Sequence, residues 1–196
     1  AYIERTSRKG IVGNIYKGKV VRVLPGMEAA FVDIGLERAA FIHASDVVIS
    51  QQPANEAPET PKTVPDIRTL LREGQSLVVQ VTKDPIGTKG ARLTTQLSIP
   101  SRYLVFMPGV SHVGISQRIE DEAERSRLKS LVEEGAAAEP DISGGYIIRT
   151  AAEAASEEDL IGDMTYLHRL NQAIEERITR SQAPSVVYQD LPLFIR

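Results

Sequence analysis

The sequence has no cysteine and no tryptophan, and only four phenylalanines and six tyrosines among 196 residues. The missing cysteine excludes disulfides and thiolate metal sites. The scarcity of large rings means that one standing on a polar face calls for a reason. No apolar run is long enough to span a bilayer, and no basic-then-apolar leader opens the chain. A cytoplasmic location is the simplest expectation. His43, His112 and His168 show no metal-ligand spacing. Gly87-Thr-Lys-Gly90 lacks the length and context of a nucleotide-binding loop. The acidic residues gather at 120–124 and 157–159, where helices are expected to begin and where the helix dipole favours them. No nucleophile stands beside a base, so the residues argue for binding and against catalysis.

What is present has a direction. The net charge of −3 conceals an asymmetry: residues 1–95 sum to +3 and residues 96–183 to −6. A basic first half is the balance expected of a surface that meets phosphates. Residues 13–43 read as three consecutive strands, broken at Pro25-Gly26 and at Gly35-Leu-Glu37. Alternation puts Ala30, Val32 and Ile34 on one face of the middle strand and Ala29, Phe31 and Asp33 on the other. Phe41 shares a face with Ala39 and His43 in the third strand. If the face carrying Asp33 is wet, Phe31 and Phe41 form a platform for stacking bases, with Lys17, Lys19 and Arg22 on the preceding strand. If the phasing is reversed, both rings are core.

The rest of the chain reads as follows. Residues 50–65 hold four prolines and few apolar side chains, which predicts a mobile loop without a core. Asp66 is placed to cap a helical turn over 67–72 that ends at Gly74. Strands follow over 76–82 and 91–97, with a turn at 84–90 between them. Five short strands with a helical turn after the third match a five-stranded OB-fold barrel. After Pro100, residues 103–107 and 113–116 read as a strand pair around Pro108-Gly109. A helix is expected over 120–134, stopped by Gly135, then a buried strand over 146–149. A second helix starts at Ser156, whose Ser-Glu-Glu-Asp resembles a capping box, and ends before Pro184. The fold class is therefore mixed α+β, with a small β-barrel followed by a small α/β domain. No Met opens the chain, Tyr2-Ile3 looks like the tail of a strand, and a strand pair starts over 186–195. The chain thus reads as a fragment with incomplete pieces at both ends.

Arg149-Thr150 closes the buried strand. An Arg fork beside a hydroxyl makes a compact anion clamp; the alternative is an Arg paired with one of the many acids.

Six stretches resemble the bacterial ribonuclease E/G endoribonucleases, the ribonuclease G branch in particular. They are Asn-Ile-Tyr-Lys-Gly-Lys at 14–19, Glu-Ala-Ala-Phe-Val-Asp-Ile-Gly at 28–35, Gly-Thr-Lys-Gly-Ala-Arg-Leu-Thr-Thr at 87–95, Pro-Ser-Arg-Tyr-Leu-Val-Phe-Met-Pro at 100–108, Gly-Ile-Ser-Gln-Arg-Ile at 114–119 and Ile-Ile-Arg-Thr-Ala-Ala at 147–152. They follow the family's order along nearly the whole chain. The resemblance implies an S1-type RNA-binding barrel over 13–98 and a 5′-sensor domain over 99–183. Residues 1–12 and 184–196 would then belong to an RNase H-like subdomain. It places RNA contacts at Phe31, Phe41 and Lys89, and a 5′-monophosphate pocket at Val105, Arg149 and Thr150, with the Val105 main chain available to close one side. Ser101 stands where the family can place a glycine in that pocket.

The family's catalytic domain, whose two aspartates hold Mg²⁺, is expected beyond Arg196. The cysteines with which members share zinc between subunits are absent. The implied partner is single-stranded RNA with a 5′-monophosphate, and the implied full-length protein is a homo-oligomeric, Mg-dependent hydrolase acting in rRNA processing and mRNA decay. The competing expectation is a stand-alone S1-domain RNA-binding protein without nuclease activity.

Overall fold

The computed structural model describes residues 10–47 and 65–190. The loop expected over 50–65 (Pro65 apart), the strand tail at Tyr2 and the last strand expected at the C-terminal end lie outside the described residues. Two compact units divide the chain, one of residues 1–96 with 177–196 and one of residues 97–176.

In the first unit, alternating sequence becomes a closed barrel. Its strands are β1 (Ile15–Leu24), β2 (Ala29–Asp33), β3 (Ala40–His43), β4 (Ser76–Lys83) and β5 (Arg92–Thr94). They follow the order β1-β2-β3-β5-β4, and β4 returns to β1. All pairs are antiparallel except β3 with β5. Val20, Val32, Ile42, Val79 and Leu93 fill the interior. The middle strand obeys the expected phase: Ala30 and Val32 are fully buried while Phe31 is 38% exposed.

The helical turn α1 (Ile67–Leu70) adds Ile67 to the barrel core. Asp66 caps it, its carboxylate accepting from the Arg68 N–H at 2.9 Å. The fifth strand is shorter than the expected 91–97. Its continuation turns aside because the Thr95 N–H, at 3.1 Å, and the Thr94 and Thr95 hydroxyls all donate to the Asp46 carbonyl.

The second unit contains β6 (Ile99–Pro100), β7 (Leu104–Pro108), β8 (Val113–Ile115), α2 (Glu122–Ala137) and β9 (Gly144–Ile148). The sheet order is β6-β7-β9-β8. This corrects the strand pair expected around Pro108-Gly109. β9 runs between its two strands, antiparallel to β7 and parallel to β8. The physical reason is burial: Tyr146 and Ile148 are among the most buried side chains, and a central position hides them best.

Helix α2 also departs from expectation by passing through Gly135. A Cβ there would lie 2.7 Å from Met164 Sδ, so this glycine admits a neighbouring side chain and does not stop the helix. Met164 belongs to α3 (Glu157–Arg180). That helix does open with reciprocal bonds: the Ser156 N–H to the Asp159 carboxylate at 3.2 Å, and the Asp159 N–H to Ser156 Oγ at 3.1 Å. Leu160, Met164, Leu167 and Ile174 form its buried stripe.

β10 (Ser185–Tyr188) belongs to the first unit and pairs antiparallel with the beginning of β1. Lys17 Nζ donates to the carbonyls of Ile178 and Ser181, both at 2.9 Å, which places a cation at the negative end of α3.

Candidate nucleic-acid interface

On the barrel, Phe31 and Phe41 stand directly opposite each other on β2 and β3. Neighbours in a strand point to opposite faces, so the buried Val32 and Ile42 force both rings outward. Phe31 is exposed, and Phe41 is half-buried because the His43 ring meets it edge-on with centroids 5.6 Å apart.

Lys89 reaches the same place from the turn between β4 and β5. That turn is tight: the Ile86 and Lys89 main chains exchange hydrogen bonds of 3.2 and 2.9 Å. Arg38 Nη1 donates to the Gly87 carbonyl, and the Phe41 N–H donates to the Ala91 carbonyl at 2.9 Å. Gly90 lies so close to β3 that a Cβ would fall 2.0 Å from the Ala39 carbonyl oxygen. The result is one open cleft of about 540 Å³ lined by Phe31, Phe41, His43, Met27, Arg38 and Lys89. The structure thus brings together the three residues expected to touch RNA. Arg22 stands in register with Phe31, whereas Lys17 is engaged at the end of α3. Sequence reasoning missed Met27, Arg38 and His43. His43 was legible, since it shares alternation with Phe41.

In the second unit, a cleft of about 510 Å³ is lined by Ser116, Arg118, Ile147, Arg149, Thr150 and their neighbours. Thr150 Oγ1 and Ser116 Oγ are 2.8 Å apart. The Arg118 N–H donates to Ser116 Oγ at 3.3 Å. Arg149 Nη1 donates to the Ser101 carbonyl at 2.5 Å, so the residue that differs from the family's glycine contributes its main chain. No carboxylate pairs with Arg149 among the described residues, which disfavours the ion-paired alternative.

Val105 is placed differently from the expectation. The Arg149 N–H donates to the Tyr103 carbonyl at 2.8 Å, and the register continues as Val105 opposite Ile147. Hydrogen-bonded pairs alternate along an antiparallel ladder, so the Val105 N–H faces Ile147 and is not free for an anion. What Val105 offers is its half-buried side chain, beside Ile147, which is 37% exposed. Ser116 and Arg118 went unnoticed in the sequence because β8 and β9 meet in parallel across some thirty intervening residues.

Residues 98–196 match the profile of the Ribonuclease E/G family, and residues 9–94 match the S1 RNA binding domain. The chain belongs to the ribonuclease E/G family. It is 58% identical to Ribonuclease G of Salmonella typhimurium and 57% identical to that of Escherichia coli, in each case over 98% of this chain and 38% of the relative. It is 39% identical to Ribonuclease E of a Nostoc species, over 91% of this chain and 24% of the relative. The chain therefore spans under two-fifths of the length of these curated relatives. The two matches together make it the RNA-binding portion of a ribonuclease E/G-type protein in preference to a stand-alone S1-domain protein. Among the described residues no helix is long and apolar enough to cross a membrane.

Proposed function

We propose that this part of a ribonuclease E/G protein selects RNA at two places. The barrel holds single-stranded RNA by stacking bases on Phe31 and Phe41 while Lys89 meets the backbone. The second unit reads a 5′-monophosphate with Arg149 and Thr150, and Ile147, with Val105 opposite it on the next strand, supplies an apolar wall. The observation that carries the reading is the convergence of two outward rings and a lysine on one cleft. Aromatic faces stack any base, and a cation beside them tracks the strand without reading sequence. At the second cleft, a guanidinium edge and a hydroxyl suit the non-bridging oxygens of a terminal phosphate.

The full-length protein, on this reading, is a cytoplasmic homo-oligomeric endoribonuclease of rRNA processing and mRNA decay. Mg²⁺ would serve its hydrolysis. Among the described residues no three His, Asp or Glu side chains converge as metal ligands, so the residues here do not fit that ion. The experiment is a titration of a short RNA with 5′-phosphate or 5′-hydroxyl into the 196-residue chain, with Mg²⁺ present. Tighter binding of the phosphorylated RNA, recovered uncut, is expected. Equal binding of both ends removes the sensor; no binding at all removes the barrel's role as well.

A further inference from the structure

Asp163 lies in the second turn of α3, half-buried and outside both clefts. Its Oδ2 accepts from Ser101 Oγ at 2.5 Å and from the Tyr103 N–H at 2.8 Å. Ser101 is only 3% exposed, and its N–H donates to the Leu104 carbonyl at 2.8 Å, closing a turn over 101–104. The opposite side of the same turn faces Arg149. The Ser101 carbonyl receives Arg149 Nη1, and the Tyr103 carbonyl receives the Arg149 N–H. Three residues of main chain therefore separate a carboxylate from the guanidinium, with each hydrogen-bonded to the same turn.

We propose that Asp163 is a positioning residue for the 5′-phosphate site, holding the 101–103 turn so that the Ser101 carbonyl aims Arg149. The proposal rests on the 5′-phosphate reading of that cleft. An unrestrained Arg loses rotamer freedom when it grips an anion, and a side chain already tied at one nitrogen loses less. With Nη1 anchored, Nε and Nη2 remain as a two-donor edge; no other hydrogen bond of the guanidinium is present among the described residues. Two donors on one planar edge match two phosphate oxygens. Asp163 touches neither the guanidinium nor the cleft, so it acts only through the turn.

The sign of the effect separates positioning from simple charge. A carboxylate near an anion site repels the anion, so deleting its charge alone strengthens phosphate binding. Loss of positioning weakens it. In Asp163→Asn, an amide oxygen in the place of Oδ2 can still accept from both donors and rescue the geometry.

The test compares the affinity of one short RNA carrying 5′-phosphate or 5′-hydroxyl for the intact chain, Asp163→Ala, Asp163→Asn, Arg149→Ala and the Asp163→Ala/Arg149→Ala pair. Asp163→Ala should lose about tenfold in 5′-phosphate preference, the scale of one charge-assisted hydrogen bond. Its affinity for 5′-hydroxyl RNA should not move. Asp163→Asn should retain most of the preference, and the double variant should be no worse than Arg149→Ala alone, since coupled residues are not additive. In a nitrogen-resolved NMR spectrum, the Arg149 Nε–H signal should broaden in Asp163→Ala and stay sharp in Asp163→Asn. If Asp163→Ala does not fold, Ser101→Ala, which removes one of the two donors, must show a reduced preference and a broadened Arg149 signal. An unchanged or raised preference in folded Asp163→Ala overturns the proposal. So does an equal loss for both RNA ends, which marks a merely structural role. An intact chain without any preference instead removes the 5′-phosphate reading, and the proposal falls with it.

Discussion

Phe31 and Phe41 are directly paired across β2 and β3, and both turn away from a core that their chain neighbours Val32 and Ile42 occupy. Side chains so paired have Cβ atoms about 4.5–5.5 Å apart, close enough for the two rings to act as one surface. The pair is therefore a property of strand register. A slip of one residue would bury both rings and expose Val32 and Ile42.

Phe31→Ala should weaken single-stranded RNA binding by about 1–3 kcal/mol, the worth of one stacked base. Because Phe31 is partly exposed, its melting temperature should fall little. Ile42→Ala, by contrast, empties the barrel interior and should cost about 2–5 kcal/mol of stability. Titration calorimetry on RNA and thermal melts of both variants check the pair. Early melting of Phe31→Ala with unchanged affinity would show that its ring serves the core.

Lys89→Ala should change the response to salt more than the fold. Each phosphate contact to a single strand contributes about 0.7 to the slope of log affinity against log salt. The measurement is affinity at several salt concentrations, and the slope should fall by about that amount. An unchanged slope would remove Lys89 from the backbone path.

Gly90→Ala places a methyl 2.0 Å from the Ala39 carbonyl oxygen, which is part of the backbone and cannot turn away. The turn carrying Lys89 must then move off β3. A loss of about 1–3 kcal/mol in stability is expected from such overpacking. Weaker RNA binding should accompany it. A stability curve in denaturant, taken beside an RNA titration, tests both.

Arg149→Lys keeps the charge but replaces a planar two-donor edge with a point charge. The preference for a 5′-phosphate over a 5′-hydroxyl should fall by about tenfold, the scale of one charge-assisted hydrogen bond. Binding of 5′-hydroxyl RNA should be unaffected. Retention of the full preference would mean that charge alone is read.

The trio of buried Phe106 and Tyr146 with half-buried His168 makes stability depend on pH. The Tyr146 hydroxyl and His168 Nε2 share a hydrogen bond, and Phe106 lies against both rings with centroids 5.3 and 5.8 Å away. Burial lowers the His168 pKa from its ordinary value, with Glu139 opposing. The unfolded chain then binds the proton more readily. Stability from His168 is present above its ordinary pKa and is lost as pH falls through the lowered one. Burial, with help from Glu139, pushes Tyr146 up to about 12. Here the unfolded chain releases the proton first, so stability is lost as pH rises from about 10. Denaturant curves from acid to alkaline pH should show both losses. His168→Gln should flatten the acid limb alone.

Local rules were readable where one residue decides one bond. Asp66 announced its cap, Ser156 and Asp159 their reciprocal pair, and alternation through Ala30 and Val32 the outward turn of Phe31. Readability failed where a distant partner decides. Nothing near Gly135 reveals that Met164 will occupy the space beside it, so a glycine that admits a neighbour reads as a stop. β9 gave no sign of entering between β7 and β8, because α2 separates it in sequence from its parallel partner β8. The same holds at the second cleft. Arg149 and Thr150 are adjacent and visible as a pair, whereas Ser116 and Arg118 arrive from elsewhere in the unit.

β1 is twice as long as β2, so β2 covers only its second half, and β10 occupies the first half on the same side. A ribosome making this chain releases β1 early and β10 some 170 residues later. From the emergence of β4 until that of β10, Ile15, Tyr16 and Lys17 have β4 as a partner on one side and a bare hydrogen-bonding edge on the other. A fragment cut after residue 96, although it contains all five barrel strands, keeps that edge permanently. Unpaired edges invite another chain's strand. Such a fragment should associate with itself, and a free peptide spanning 183–190 should dissolve the association by taking the place of β10.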